Sequence, residues 1–383
     1  MPDRPSARTL EQRLAEDVVL GAEGYVFELE RRGYIKAGPY VPEVILDAPE
    51  AVIELHREFL RAGAEVMVAL TYYAHREKLK IVGREGDLEE MNRTAVRIAN
   101  QVAREGGALV AANISNTWSY DPADARRTAA IVREQYEEQL SWAVDEGVDF
   151  VIAETNDYLG EALIGIEVCR ELGLPAMVTF ASVHSTSTYD GFSYVEACRR
   201  AADAGAAVVG LNCSRGPQTM KPLLAEIRAG VDAPVAAQPV PYHTSDAAPA
   251  FESLTTPEGG RAFPIQLEPF SCTRFEMAEF AAWAQRAGIR YIGICCGGGP
   301  HHVRAMAEAL GRDTPASLYS PAIDLHPVLG TGAADHAEMG GWTATAGDSV
   351  ASALALDSDD EVVVDRVAGG GKAMLEPRAL EQP

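Results

Sequence analysis

Residues Tyr291–Leu310 read YIGICCGGGPHHVRAMAEAL, and this stretch holds one complete copy of the pattern that decides the fold. An apolar run, Tyr291–Cys295, leads into three consecutive glycines. A proline then opens a stretch, His301–Leu310, whose apolar residues recur at helical spacing. Short apolar runs of this kind are typical of parallel strands that are buried on both faces. The stretch therefore predicts a strand, a glycine-rich turn and a helix in succession.

The same succession recurs along most of the chain, so that eight strands alternate with eight helices. The predicted strands are Val18–Gly21, Val66–Tyr73, Leu109–Ile114, Phe150–Glu154, Ala176–Phe180, Val208–Cys213, Val235–Pro239 and Tyr291–Cys295. The predicted helices are Pro49–Gly63, Leu88–Glu105, Pro122–Glu146, Leu159–Leu172, Tyr194–Ala204, Lys221–Ala229, Glu276–Ala287 and His301–Leu310. Eight such units over about 300 residues favour an α/β fold of the closed (β/α)8 TIM-barrel type, with an open, doubly wound sheet as the alternative.

Sustained periodicity ends near Leu310, which predicts a barrel at residues 1–311 and a C-terminal extension at residues 312–383. The extension is rich in Gly, Ala, Ser and Asp, and we expect an oligomerisation arm, a packed extension or a partly flexible tail. Within the barrel, residues 241–275 form a long connection rich in Pro, Gly and Thr. We interpret this connection as an active-site loop, because long ordered loops in compact domains are usually functional.

The chain has 383 residues and a formal net charge of −23, which argues against some classes of partner. Such a surface repels nucleic acid and anionic membranes, so we expect neither as a partner. No apolar stretch approaches the roughly 18 residues of a membrane helix, and the N-terminus shows no signal-peptide core. We therefore expect a cytoplasmic protein, in which six cysteines indicate a metal site or catalysis and not a disulfide framework.

Three of the cysteines lie at the predicted ends of strands. Cys213 closes the sixth strand, and Cys295 and Cys296 close the eighth. Because all strands of a parallel barrel end at the same mouth, the three thiolates can meet at one point. Three thiolates and one open position are a ligand set for a catalytic Zn²⁺, and a substrate thiol would fill the open position. A disulfide between the adjacent cysteines is the alternative, and Cys169, Cys198 and Cys272 are interpreted as small core residues.

Aromatic residues are predicted at the same mouth. Tyr72 and Tyr73 close the second strand, and Tyr40 lies in the first connection between a strand and a helix. Aromatic faces gathered around one point bind cations, which favours a quaternary ammonium or sulfonium ligand.

Carboxylates complete the predicted site. Glu154 ends the fourth strand, Glu23 follows the first strand, and Glu268 lies in the long loop. A carboxylate at the mouth of the barrel can hold a substrate ammonium group, so these three residues are candidates for substrate binding.

Two cysteine motifs carry a resemblance to a known family. The motif GLNC at residues 210–213, followed by GICCG at residues 293–297, resembles the zinc signature of the homocysteine S-methyltransferase family. Residues 25–43, 55–67, 238–244 and 290–310 are similar to its betaine-dependent members. The resemblance covers roughly residues 17–311.

The resemblance implies methyl transfer to a zinc-bound thiol on a (β/α)8 barrel, with homocysteine as acceptor and betaine as donor. It places the zinc ligands at Cys213, Cys295 and Cys296, and the donor site at Tyr40, Tyr72 and Tyr73. Glu154 is implied as the catalytic residue that binds homocysteine. The family also implies a homo-oligomer formed through the extension after the barrel.

Three departures from the family pattern concern the substrate pocket. The family has Asp-Gly-Gly where this chain has Ala22, Glu23 and Gly24, it has a tyrosine at Thr155, and it has a tryptophan at Tyr40. Glu23 could clash with the substrate or supply a substitute carboxylate, and Gly24 is expected to bind the substrate. Three hypotheses therefore stay open: betaine-dependent methyl transfer, the same zinc chemistry with another donor or acceptor (another betaine, a sulfonium compound or a methyl-corrinoid protein), or a zinc-holding barrel that binds an onium ligand without turnover.

Overall fold

A computed structural model describes residues 8–181, 183 and 186–326 of the chain. Eight parallel strands form one sheet in the order β1-β8-β7-β6-β5-β4-β3-β2. Their bounds are β1 Val19–Leu20, β2 Val66–Val68, β3 Leu109–Ile114, β4 Phe150–Asn156, β5 Ala176–Phe180, β6 Val208–Asn212, β7 Val235–Gln238 and β8 Tyr291–Ile292. Nearly every strand residue is buried, as the apolar runs predict.

The edges of this sheet meet at β1 and β2. The backbone N–H of Glu65, just before β2, donates to the carbonyl of Leu20 at 2.8 Å. In return the Glu65 carboxylate accepts from the backbone N–H of Leu20 at 2.9 Å. Between β1 and β2, the Glu65 side chain therefore accepts a hydrogen bond that a backbone carbonyl accepts between the other strands. The barrel is nearly closed. The predicted TIM barrel is confirmed.

Helices surround the strands in alternation with them. Their bounds are α1 Leu10–Glu16, α2 Tyr25–Arg31, α3 Val44–Asp47, α4 Pro49–Ala62, α5 Arg76–Val82, α6 Leu88–Gly106, α7 Ala125–Glu146, α8 Leu159–Glu171, α9 Tyr194–Asp203, α10 Pro217–Gly230, α11 Arg274–Arg286 and α12 Pro300–Ala309. The four helices α1, α2, α3 and α5 were not predicted, because each has seven residues or fewer and too few turns to show a period.

Two predicted strand ends need correction. The second strand ends at Val68 and not at Tyr73, because the backbone N–H of Thr71 turns back to the carbonyl of Ala69 at 2.7 Å. The eighth strand ends at Ile292 and not at Cys295. The tyrosine pair and the cysteine pair are therefore carried by the loops that leave the barrel, where the backbone can turn side chains toward a common point.

The chain divides into two compact units, Met1–Thr314 and Pro315–Pro383. Of the second unit the structure describes residues 315–326, which contain two short 3-10 turns at Ser317–Tyr319 and Ile323–Leu325. Residues 327–383 lie outside the described part, so the oligomerisation arm expected within residues 312–383 stays a prediction. Among the described helices, none is both long and apolar enough to span a lipid bilayer.

Candidate metal centre and substrate cavity

Three cysteine sulfurs lie together at the carboxyl end of the barrel. The Sγ atoms of Cys213, Cys295 and Cys296 all lie within 4.8 Å of one another. Those of Cys213 and Cys296 are 3.7 Å apart. A tetrahedral zinc with Zn–S bonds of about 2.3 Å holds two sulfurs about 3.8 Å apart, so the donor set and its spacing fit Zn²⁺.

The backbone at Cys213 adopts a conformation that non-glycine residues seldom take. Cys213 and Ser214 have φ angles of 55° and 52°, directly after β6. Their left-handed turn is fixed by two backbone bonds, from the N–H of Cys213 to the Gln238 carbonyl at 2.9 Å and from that of Arg215 to the Cys213 carbonyl at 2.6 Å. Such conformations are strained and persist where the surrounding structure holds them, often at functional sites.

All positive-φ residues other than glycine in the described part of the chain lie in this region. Besides Cys213 and Ser214 they are Tyr40, Trp118 and Thr155. Tyr40 and Thr155 line the same cavity as Cys213, and the Trp118 ring lies 6.0 Å from that of Tyr73, centroid to centroid. The concentration of strained backbone marks this mouth as the functional end of the barrel.

Glycines bring the loop after β1 against the loop after β8. A Cβ on Gly24 would lie 1.9 Å from the carbonyl oxygen of Gly298. Gly297 has a φ of 85°, and a Cβ there would lie 2.1 Å from the hydroxyl of Tyr242. Neither glycine therefore has room for a side chain, and these close contacts with Gly298 and Tyr242 hold the loop that carries the cysteine pair.

We expect the Gly24→Ala variant to weaken zinc retention about tenfold and to lower Tm by about 2–10 °C, because the added methyl must push the Gly298 backbone away. Calorimetry and zinc titration measure the two effects. Gly86→Ala is the matched control, since a Cβ at Gly86 meets no atom within 4 Å. A Gly24→Ala protein with the zinc affinity and Tm of the control would contradict this account of the loop contact.

The three thiols differ in the direction of their pKa shifts. The pKa of Cys213 is held well below its usual range by hydrogen bonding with Cys295 and Cys296. The pKa values of Cys295 and Cys296 are raised, first by their bonds to Cys213. One thiolate held between two thiols is a centre that releases protons when a divalent metal binds.

A cavity of about 160 Å³ adjoins the sulfurs. It is lined by Glu23, Tyr25, Val26, Phe27, Tyr40, Val68, Ala69, Leu70, Tyr72, Tyr73, Asn113, Glu154, Thr155, Cys213, Phe251, Glu252, Phe263, Cys295 and Cys296. Most of the residues selected from the sequence are therefore brought together. Gly24 is not among the lining residues, and it packs against the Gly298 carbonyl instead.

The structure places Glu268 differently from the sequence-based expectation. Its side chain is 65% exposed, it lies 3.7 Å from Arg31, and it does not line the cavity. In this structure the long loop turns Glu268 outward, and the expectation that it contacts the substrate stays a prediction. The same loop instead contributes Phe251, Glu252 and Phe263 to the cavity wall.

Glu154 is held from both sides by amides. Its Oε1 accepts from Asn113 Nδ2 at 2.6 Å, and its Oε2 accepts from Asn212 Nδ2 at 2.7 Å. Burial raises the pKa of Glu154 to about 7, against the opposing effect of the Asn113 bond. Sequence reasoning missed both asparagines. Asn212 directly precedes Cys213 in the GLNC motif, and this position was the available signal.

Glu23 lines the same cavity as the aromatic residues. Tyr291 donates its hydroxyl to Glu23 Oε1 at 3.1 Å, while the buried Oε2 has no hydrogen-bond partner. Burial, and then the charge of Glu154, raise the pKa of Glu23 well above its usual range. This position favours the expectation that Glu23 supplies a substitute carboxylate over the expectation that it clashes with the substrate.

The tyrosines form two groups. Tyr72 and Tyr73 contact each other with ring centroids 4.4 Å apart, and Tyr40 stacks on Phe27 at 5.3 Å. Tyr73 has a second neighbour that the sequence did not indicate, because the buried ammonium of Lys78 lies 3.9 Å from its ring centroid. Lys78 therefore already places a cation on the Tyr73 ring. Tyr72 and Tyr40 have no such contact with a cation in the described structure.

Glu252 is a further cavity residue that sequence reasoning missed. Its Oε1 accepts from Ser214 Oγ at 3.1 Å, and its buried Oε2 has no hydrogen-bond partner. Burial raises its pKa to about 8. Nothing in the sequence around Glu252 distinguishes it from the other glutamates of this loop, Glu258 and Glu268.

A second group of metal-ligand types lies farther along the loop. His243, Cys272 and Glu276 also place their ligand atoms within 4.8 Å of one another. His243 is exposed, and its Nε2 lies 2.9 Å from Glu276 Oε1, an ion-pair geometry that accounts for the contact without a metal. Any count of bound zinc must separate this group from the three cysteines.

Comparisons with known proteins agree with this arrangement. The sequence pattern of the homocysteine S-methyltransferase family matches residues 20–310. A betaine–homocysteine S-methyltransferase 1 from Xenopus tropicalis is 38% identical over 336 residues, which are 85% of this chain and 81% of that protein. An S-methylmethionine–homocysteine S-methyltransferase from Rattus norvegicus is 36% identical over 331 residues, 84% of this chain and 86% of its own.

Solved structures show the same fold. The metallated form of the homocysteine methyltransferase MmuM from Escherichia coli superposes with a TM-score of 0.60 and 18% identity. The match covers 76% of this chain and 96% of that one.

Proposed function

Because the chain belongs to the homocysteine S-methyltransferase family, we propose that it transfers a methyl group from a small onium donor to the sulfur of homocysteine, beside a zinc ion held by Cys213, Cys295 and Cys296. Family membership confirms the resemblance seen in the sequence and makes the protein a methyltransferase. Betaine and S-methylmethionine, named for the relatives, are the first donors to test.

The observation that carries the proposal is the meeting of three sulfurs at the wall of one cavity. When bound there, zinc would accept a fourth sulfur and stabilise it as a thiolate at neutral pH. Cys213, Cys295 and Cys296 would hold the ion, and the cavity that they line would take the acceptor thiol.

The residues of the chain bind and orient the two reactants. Glu154 accepts the ammonium of homocysteine, with its carboxylate already fixed by Asn113 and Asn212. Tyr40 and Tyr72 face the onium head of the donor, where aromatic rings attract a cation. As the new S–CH₃ bond forms, the bond between the methyl carbon and the onium atom breaks. The electron pair of the broken bond stays on the onium atom, which becomes neutral.

Positioning supplies much of the rate in such a transfer. Two reactants held in attack geometry gain up to about 7–11 kcal/mol over the same reactants free in solution. The reaction needs no redox cofactor.

We expect zinc-loaded protein to form deuterated methionine from homocysteine and a donor with deuterated methyl groups, because the three cysteines, Glu154 and the aromatic residues line one cavity. Mass spectrometry of the product over a panel of ammonium, sulfonium and methyl-corrinoid donors makes the test. Protein that retains zinc and binds an onium ligand but methylates no thiol would support the non-catalytic alternative. A homo-oligomer stays a prediction, which light scattering of the full chain tests.

A further inference from the structure

The second group of ligand types, His243, Cys272 and Glu276, lies where the two ends of the long loop meet. The N–H of His243 donates to the Phe270 carbonyl at 2.7 Å, and the N–H of Cys272 donates to the Pro241 carbonyl at 2.8 Å. The two loop ends therefore run antiparallel. In such a pair His243 and Cys272 are diagonal neighbours on one face, close enough for their side chains to meet.

A capping box brings Glu276 to the same place. Thr273 is the N-cap of α11, and its N–H and its hydroxyl donate to Glu276 Oε2 at 2.8 Å and 3.0 Å. Because the side chain of the third helical residue reaches back over the N-cap, it comes next to Cys272, which precedes the cap. Glu276 Oε1 takes no part in the capping box and lies 2.9 Å from His243 Nε2.

The ion pair between His243 and Glu276 does not involve the sulfur. The Sγ of Cys272 nevertheless lies within 4.8 Å of the ligand atoms of both residues. An imidazole nitrogen, a thiolate sulfur and a carboxylate oxygen are all ligands that Zn²⁺ takes, at about 2.0–2.3 Å. Ligand atoms of a tetrahedral zinc are then about 3.3–3.8 Å apart, so shifts of about 1 Å would place these three around one ion.

Burial and charge also suit a divalent ion. Cys272 is buried, while the side chains of His243 and Glu276 are 53% and 39% exposed, which gives a hydrated ion a path to the ligands. One thiolate and one carboxylate balance the two positive charges of the ion, so no charge is left unpaired. With three protein ligands, a water would fill the fourth position.

We propose that His243, Cys272 and Glu276 form a second zinc site, which ties together the two ends of the long loop. On binding, the Cys272 thiol releases its proton to solvent, and Glu276 Oε1 exchanges its contact with His243 for one with the ion. The middle of this loop supplies three residues to the cavity wall, so an ion at its base would restrict the motion of that wall. The inference does not depend on methyl transfer.

The zinc count per chain tests the site, measured by native mass spectrometry on full-length protein equilibrated with zinc. We expect wild type to hold one ion more than His243→Ala or Cys272→Ala, and the double variant Cys296→Ala, His243→Ala to lose two. Cys198→Ala is the matched sulfur control and should keep the wild-type count. His243 is exposed, so His243→Ala decides the test even if Cys272→Ala does not fold.

The glutamate can be tested without disturbing the helix end. Glutamine also serves in a capping box, so Glu276→Gln should keep α11 intact and weaken binding of the second ion about tenfold or more. Its Kd from a zinc titration, compared with that of wild type, measures the loss.

Hydrogen exchange gives a readout that does not rest on counting ions. Zinc at saturation should slow exchange of the amides in residues 244–270 about tenfold in wild type and leave it unchanged in His243→Ala. A wild-type protein that holds no more zinc than His243→Ala would overturn the second site and leave the three-cysteine centre and the proposed function standing. Equal exchange with and without zinc would overturn its role in tying the loop.

Discussion

The Cys296→Ala variant is expected to lose its zinc and about 1000-fold or more in kcat/KM for methyl transfer, because two thiolates are too few to hold the ion in a catalytic site. Cys296 is the half-buried member of the trio and lies 3.7 Å from Cys213. Metal analysis by mass spectrometry, together with the deuterated-methyl assay, measures both losses.

Two controls make the zinc count specific. Cys198→Ala removes a fully buried sulfur that lies 3.9 Å from the Gly210 carbonyl on β6 and does not line the cavity, and it should keep both zinc and activity. His243→Ala disables the second group of ligand types and should lower the zinc count only if that group binds metal. A Cys296→Ala protein that holds as much zinc as wild type and transfers methyl groups at the same rate would rule out the proposed centre.

The barrel and its three sulfurs could be predicted because both depend on short-range sequence signals. Apolar runs such as Phe150–Ile152 report burial directly, and alternation with helical spacing leaves few other topologies. Once the strands are parallel, Cys213 and Cys295 must share one mouth although they are 82 residues apart in sequence. No distance information is needed for that step.

Strand ends and loop side chains could not be predicted in the same way. Apolar residues continue past Val68 to Leu70, but the backbone hydrogen bonds between strands stop where Thr71 turns. The sequence shows where the apolar residues end and does not show where the hydrogen bonds end. Glu252 and Glu268 stand in one loop with similar neighbours, yet one lines the cavity and the other faces Arg31. The path of a loop is decided by tertiary packing, such as that of Phe251 on Tyr242, with ring centroids 5.7 Å apart.

Backbone strain gave a signal that the sequence lacks. Thr155 has a φ of 58°, and its N–H donates to Asn212 Oδ1 at 2.8 Å while Asn212 also holds Glu154. One asparagine therefore fixes the carboxylate, the strained residue after it and, through the chain, the neighbouring Cys213. The substrate end and the metal end of the site are coupled by a single side chain of β6.

We expect Glu154→Gln to lower kcat/KM for homocysteine by about 100-fold or more while zinc content stays at the wild-type level. Truncating one partner of a buried charge pair costs about 2–5 kcal/mol, and each 1.36 kcal/mol is a factor of ten. The substituted amide also cannot accept from both Asn113 and Asn212, whose bonds of 2.6 and 2.7 Å hold the carboxylate. Glu167→Gln, on the exposed face of α8, is the matched control.

The acceptor itself separates substrate binding from a structural effect. 4-Mercaptobutanoate lacks the ammonium of homocysteine but keeps its thiol and carboxylate. If Glu154 pairs with the ammonium, wild-type protein should prefer homocysteine by a large factor and Glu154→Gln should use both acceptors about equally, which is the signature of a coupled pair. An equal loss of kcat/KM for both acceptors would mean that Glu154 acts by positioning Asn212 and Cys213. A direct contact with the ammonium would lower kcat/KM only for homocysteine, because 4-mercaptobutanoate has no ammonium group.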